Sequence, residues 1–290
     1  PERPRAWMNR MFVDTSRCGS IGSLLPKPQR ASGKVRVTFR RREGATCLYR
    51  LHQDGSAKVR FPRTGGDAPE AVLINMAGGM TGGDVFGTEV EMEAGARATL
   101  TTQACERIYR STGTTVTVEN RIGLEAGSRL DWLPQETILF DGGRLARRLD
   151  ADLAGDAELL AVESTVFGRA AMGEIINSGA FRDRWRIRRD GRLIFADELF
   201  FEGDIAGRLM LPAIMAGNTA MATVLLVAPE CERFLEPVRA IVGDAGGASA
   251  WNGKLLVRIA AVDGFSLRRV LVPLLAALSA NRSLPKVWQL

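Results

Sequence analysis

Apolar residues recur at every second position through much of the chain. Val35, Val37 and Phe39 alternate with Arg36 and Thr38, and the segments Cys47–Leu51 and Ala57–Phe61 follow, each bounded by Gly, Asp or Pro. A period of two sends successive side chains to opposite faces of an extended chain, so this pattern predicts short, half-buried strands. Ala71–Met76 reads as an apolar strand, and Val85–Leu100 as strand, turn, strand. Helical spacing shows only late. Glu230–Ile241 places Phe234, Leu235, Val238 and Ile241 on one face after Pro229. Ser266–Ala280 does the same with Leu267, Val270, Leu271, Leu274, Leu275 and Leu278, with Ser266 as the expected N-cap and Pro273 expected to kink the helix or delay its start. Lys254–Val262 reads as a strand between the two. The expected fold is therefore mostly β, with a small helical pair near the C-terminus.

A degenerate repeat organises the middle. Glu93-Ala94-Gly95-Ala96-Arg97-Ala98 recurs as Glu125-Ala126-Gly127-Ser128-Arg129-Leu130 and more weakly as Leu153-Ala154-Gly155-Asp156-Ala157-Glu158. The glycines are spaced by 32 and 28 residues, and Gln103, Gln135 and Glu163 keep the same steps. Units of this length predict stacked or helical β-layers of short strands, each covering its neighbour's apolar face, with an ordinary β-sandwich as the alternative. On this reading the three polar residues stack in one column. Residues 1–31, rich in Pro, Arg, Ser and Gly, read as a mobile or loosely docked arm, and 32–290 as a single β-rich domain.

The densest backbone signal is Ala77–Asp84, with glycines at Gly78, Gly79, Gly82 and Gly83. No Lys-Ser or Lys-Thr pair follows and no helix opens there, which argues against a phosphate cradle. The glycines are expected to form a structural turn between strands. Composition removes further chemistry. His52 is the one histidine, in a polar stretch that reads as a solvated hairpin, so His-dependent triads and His-rich metal sites are disfavoured. Cys18, Cys47, Cys105 and Cys231 form no C-x-x-C pair, as suits free thiols in a reducing cytoplasm. The net charge of +6 is spread along the chain. Arg182, Arg184, Arg186, Arg188 and Arg189 alternate with Phe181, Trp185 and Ile187, which reads as one solvated strand face, or else as a partner or nucleic-acid patch. No apolar run is long enough to span a membrane, and no secretion signal opens the chain.

Five motifs occur in order: G-G-x-x-G-G-D at Gly78–Asp84, T-T-Q-A-x-x-x-I-Y-R-S at Thr101–Ser111, W-L-P-Q-E-T-I-L-F-D-G at Trp132–Gly142, G-R-x-A-M-G-E at Gly168–Glu174, and L-P-K-V-W at Leu284–Trp288. Together they resemble the urease accessory protein family UreD (also called UreH) over nearly the whole chain. The resemblance implies a cytoplasmic, non-enzymatic scaffold and chaperone. It would bind urease apoprotein, UreF and UreG, and help deliver nickel to urease, with a dimer conceivable inside that assembly. It implies no tightly bound cofactor, no nucleic acid and no membrane; nickel would be in transit.

A transfer scaffold needs no strong cage, because hard and weak oxygen ligands let an ion pass where His and Cys would hold it. The residues expected to line such a passage are Asp84, Gln135, Glu136, Asp141, Glu163 and Glu174; each carboxylate has the alternative reading of satisfying backbone groups in a tight turn. Leu271, Leu275 and Trp288 are expected as apolar anchors for partner proteins. Two competing readings remain open: a β-solenoid enzyme acting on acidic polysaccharide through Glu136 and Asp141, and a basic nucleic-acid-binding β domain.

Overall fold

A computed structural model describes residues 29–64, 68–169, 172–279 and 283–289. Two hairpin-like pairs come first: β1 (Ser32–Arg42) with β2 (Ala45–Gly55), and β3 (Ala57–Arg60) with β4 (Glu70–Asn75). The chain then winds through β5 (Val85–Met92), β6 (Arg97–Thr102), β7 (Glu106–Ile108), β8 (Val116–Leu124), β9 (Arg129–Leu133), β10 (Thr137–Leu139), β11 (Arg144–Leu153) and β12 (Glu158–Phe167). A hairpin of β13 (Ala180–Arg189) and β14 (Arg192–Glu202) follows, then α1 (Ile205–Leu209), β15 (Ala220–Val227), α2 (Leu235–Val242), β16 (Gly246–Trp251), β17 (Lys254–Ala261) and α3 (Gly264–Leu278).

The winding section is a stack of β-layers. One sheet runs β14-β13-β11-β8-β5-β1-β2, and the other β16-β17-β15-β12-β9-β6-β4-β3, with β10 beside β12 and β7 beside β10. Each turn of the stack lays one strand in the first sheet and the next in the second, so β5, β8, β11 and β13 pair in parallel, as do β6, β9 and β12. The corner between the sheets is the repeated Ala-Gly turn. Gly95, Gly127 and Gly155 stand there at φ 68°, 68° and 52°, a left-handed region where a glycine avoids the Cβ penalty. The corners bond to one another, Gly95 N donating to Ala126 O at 3.0 Å and Gly127 N to Asp156 Oδ1 at 2.7 Å.

Burial follows the layers. Strand β1 alternates, with Val35, Val37 and Phe39 facing the second sheet. Strand β15 is buried at all eight positions, because α2 and α3 cover the second sheet's outer face. In β13 the arginines do form an outer face, where Arg182 and Arg186 pair with Glu198, while Phe181, Asp183, Trp185 and Ile187 point inward.

Four expectations change. The register between β9 and β12 is Arg129↔Glu158 through Trp132↔Ala161, a step of 29 rather than 28, and a one-residue offset moves side chains to the opposite face. Between β6 and β9 the step is the expected 32, but β6 ends at Thr102; Gln103 beyond it is exposed while Gln135 and Glu163 are buried, so the three make no single column. The α3 cap is Asp263, whose side chain accepts from Ser266 N, and the helix starts ahead of Pro273 and runs through it. Leu271, Leu275 and Trp288 are buried in the layer between α3 and the second sheet, so they are core and not partner anchors. Residue His52 is exposed, but on strand β2 opposite Arg36 rather than in a turn. Of the expected arm, residues 1–28 lie outside the described residues; Ala31 is bonded to the body through Asp84 and Val85.

Candidate functional site

Between the two sheets lies a cavity of about 100 Å³, enough for several waters. Most of its wall is apolar; Lys58, Thr88, Thr102 and Asn120 line part of it, and its remaining polar groups are Asn75, Glu106, Gln135, Thr137, Arg147 and Glu163. These come from six separate places in the winding: the end of β4, the start of β7, the β9–β10 corner, β10, β11 and β12. Parallel stacking at steps of about 30 residues brings them together.

The deepest part is a charge network built around Arg147. Its Nη2 and Nε donate to Asp183 at 2.7 and 3.2 Å, and its Nη1 meets Glu163 at 2.6 Å and Thr137 Oγ1 at 3.0 Å. Trp132 Nε1 donates to the other Glu163 oxygen at 3.1 Å. All three charged side chains are at most 5% exposed. Burial, reinforced by repulsion from Asp183, pushes the Glu163 carboxyl up to about 7 in spite of Arg147 and Trp132. Burial works against the Arg147 charge too, but Asp183 and Glu163 outweigh it and hold the guanidinium above its ordinary value.

The neighbouring corner is clamped from the C-terminal side. Arg268 on α3 donates from Nη1 to Gln135 Oε1 at 2.7 Å and to both Glu136 oxygens at 2.9 and 3.1 Å. Its Nη2 donates to the carbonyls of Val287 and Trp288 at 3.3 Å, and Trp288 Nε1 donates to Leu133 O at 2.9 Å. Gln135 Nε2 is buried with no partner among the described residues, so the cavity wall carries one free amide donor.

The other candidates lie outside the cavity. Asp84 closes the glycine turn by accepting from Ala31 N and Thr81 N, both at 2.8 Å. The turn itself joins β4 to β5, as the sequence implies; Gly78, Gly79 and Gly83 take positive φ. Gly82 is fixed by crowding, since a Cβ there would sit 2.0 Å from Ser111 Oγ and 2.2 Å from Thr114 O. Asp141 pairs with Arg110 and accepts from Ser178 N at 3.0 Å. Glu174 accepts from Arg169 N, Nε and Nη2 at 3.1, 2.9 and 2.9 Å and from Asp141 N at 3.4 Å; the Arg169 contact holds its carboxyl below the usual range. Asp141 and Glu174 thus share one rim, separate from Gln135 and Glu163 inside. Glu136 is buried against Arg268, and Asp141 is committed to Arg110, so each carboxylate of the polysaccharide reading has an arginine partner.

Arg147, Asp183, Glu106 and Asn75 are the residues sequence reasoning missed. Asp183 did leave a signal: it is the one charged residue at an inward position of β13, between Phe181 and Trp185. Among the described residues no group of three or more His, Cys, Asp or Glu is arranged to hold a metal ion, and no helix is long and apolar enough to cross a membrane.

Comparison with known proteins places this geometry. The profile of the family described as "UreD urease accessory protein" matches residues 31–289. The chain is similar to the urease accessory protein UreD of Rhizobium leguminosarum bv. viciae, 50% identical over 265 residues that cover 91% of this chain and 97% of the relative. It is also 48% identical over 264 residues to the urease accessory protein UreD of Agrobacterium fabrum, covering 91% and 93%. The urease accessory protein UreD 1 of Brucella abortus biovar 1 is 47% identical over 264 residues, covering 90% and 94%.

Proposed function

The chain belongs to the UreD urease accessory protein family, and from that premise we propose that it is a non-catalytic scaffold of urease maturation that passes nickel toward the urease active site. Membership gives the chain a role in urease maturation. In the finer reading it works in the cytoplasm, binds urease apoprotein, and acts with UreF and UreG.

One observation carries the nickel part: a cavity between the sheets lined by carboxylate, amide and hydroxyl oxygens beside the cations Arg147 and Lys58, with no cage of strong ligands among the described residues. Such donors exchange a divalent cation readily, which suits a conduit and not a store. Glu163 fits that role because its carboxyl is pushed up to about 7, so proton and cation compete for it near neutral pH. Partner contact is supported by apolar surface at one end of the molecule. Met172 and Ile175 stand exposed after β12, and Met210, Leu211 and Ile214 stand exposed after α1. Ala206 N donates to Ile176 O, which ties the two segments into one patch.

The test is co-expression of this chain with urease and its other accessory proteins, with nickel measured in purified urease. Gln135→Ala and Glu163→Gln are expected to lower nickel content while soluble levels of the chain hold. Asp84→Ala and Glu174→Ala probe the turn and the rim in parallel. Full metallation in all four would sink the conduit reading.

A further inference from the structure

A second pocket, of about 170 Å³, lies against the interior cavity and shares three wall residues with it: Leu73, Asn75 and Glu106. The outer pocket is bordered by Gly78, Gly79, Gln103 and Cys105, none of which lines the inner one. We propose that the Asn75–Glu106 pair is the doorway between these two spaces, and that Glu106 is the carboxylate on which a divalent cation docks at that doorway, displacing Asn75. This deepens the nickel-conduit reading and rests on it.

The bonding of the pair supports an opening hinge on one side only. Asn75 Nδ2 donates to Glu106 Oε2 at 2.9 Å, while Asn75 Oδ1 accepts from Ala77 N at 2.9 Å. Asn75 is thereby anchored to the glycine turn with its amide orientation set, and Glu106 is the partner free to swing. The other carboxylates around the cavity and rim are each held by a guanidinium: Glu163 by Arg147, Glu136 by Arg268, Asp141 by Arg110 and Glu174 by Arg169. Glu106 has no ion pair among the described residues. Its neighbour Arg107, on the wall of the outer pocket, attracts it only as a minor influence after burial and the Asn75 bond, and forms no ion pair with it. A neutral amide is a weak competitor for a carboxylate compared with a charged partner, so an arriving dication takes the oxygen at little cost.

Desolvation acts in the same direction. Glu106 is half-buried, and burial pushes its carboxyl above the ordinary range. A cation that docks there relieves the cost of a half-buried charge that has no ion pair. The glycine turn keeps the outer side open: a Cβ at Gly78 would meet nothing within 4 Å. Cys105 lies in the outer pocket beside the doorway and serves as a built-in reporter.

The experiment uses the full chain with Cys18 and Cys47 changed to serine. Cys231 is buried with its thiol pushed up to about 11, so Cys105 is the thiol left to react with iodoacetamide. With Ni²⁺ at ~10 times its dissociation constant about a tenth of the chains stay empty, and Cys105 alkylation is expected to slow ~10-fold. Glu106→Gln, which keeps the shape and the Asn75 contact but removes the charge, is expected to abolish that protection and to lower nickel in co-expressed urease. Glu106→Asp is expected to retain part of both. Protection that persists in Glu106→Gln would mean that Cys105 alone binds the ion and would overturn the assignment. Full nickel loading in Glu106→Gln while Gln135→Ala and Glu163→Gln still lower it would refute the doorway and leave the conduit standing. Full loading in all three would remove both.

Discussion

Replacing Glu163 by glutamine is expected to stabilise the fold, and by an amount that grows with pH. The carboxyl moves from an ordinary 4.5 to about 7 on folding because it is buried beside Asp183. The folded state therefore holds a proton that the unfolded chain has already released. That favourable contribution is complete below pH 4.5 and lost as pH rises through about 7. Glutamine mimics the protonated form at every pH. With each pK unit worth ~1.4 kcal/mol, linkage gives the variant next to no advantage at pH 4 and one on the order of 2–3 kcal/mol between pH 6 and pH 8. Asp183 keeps its bidentate contact with Arg147 throughout, so the variant leaves no buried charge unpaired. Urea unfolding followed by tryptophan fluorescence, with Trp132 in direct contact with residue 163, reads this out at the three pH values. A variant less stable than the parent at pH 8, or a difference that does not change with pH, would show that Arg147 fully compensates Glu163 and that the reasoning from burial is wrong.

The glycine turn and the C-terminal clamp give two further expectations. Gly82→Ala drives a Cβ into Ser111 Oγ and the Thr114 carbonyl and should cost several times more than Gly78→Ala. The latter meets open space and carries only the ~1 kcal/mol penalty of a left-handed residue; equal melting temperatures for the two would contradict the crowding argument. Trp288→Ala removes a side chain that is 1% exposed together with its bond to Leu133 O. It should destabilise by ~3–5 kcal/mol in chemical denaturation, whereas a loss under ~1 kcal/mol would show the segment to be loosely held.

The strands and their stacking were legible because they rest on local rules. Alternation at Val35, Val37 and Phe39 marks a half-buried strand wherever it occurs, and glycines at 95, 127 and 155 mark corners needing positive φ. Register was harder. A step counted between corner glycines says nothing about where the chain slips inside a strand, as it does between β9 and β12, or about where a strand ends: Gln103 lies exposed beyond the end of β6 while Gln135 and Glu163 are buried. Gln135 and Glu163 were nonetheless named as passage residues, because the repeat put them in step. Arg147 and Asp183 escaped because their meaning arises only when strands 36 residues apart lie side by side. Leu271 and Leu275 were read as anchors because an amphipathic pattern shows that a face is apolar without showing what covers it. The cap fell three residues early for a related reason: Asp263 and Ser266 are the two ends of one hydrogen bond.

The Arg268 clamp has a consequence in time. Its bond to Gln135 spans 133 residues, and the Trp288 bond to Leu133 spans 155. At ~5–20 residues per second, a ribosome that has just made Leu133 needs ~8–30 s more to reach its tryptophan partner. Until Arg268 and then Trp288 are made, the β9–β10 corner lacks its guanidinium and its indole, and Gln135 and Glu136 stand beside an unsealed cavity. The chamber is thus sealed only after α3 and the Leu284–Trp288 segment have been made, and until then a nascent chain has no closed cavity.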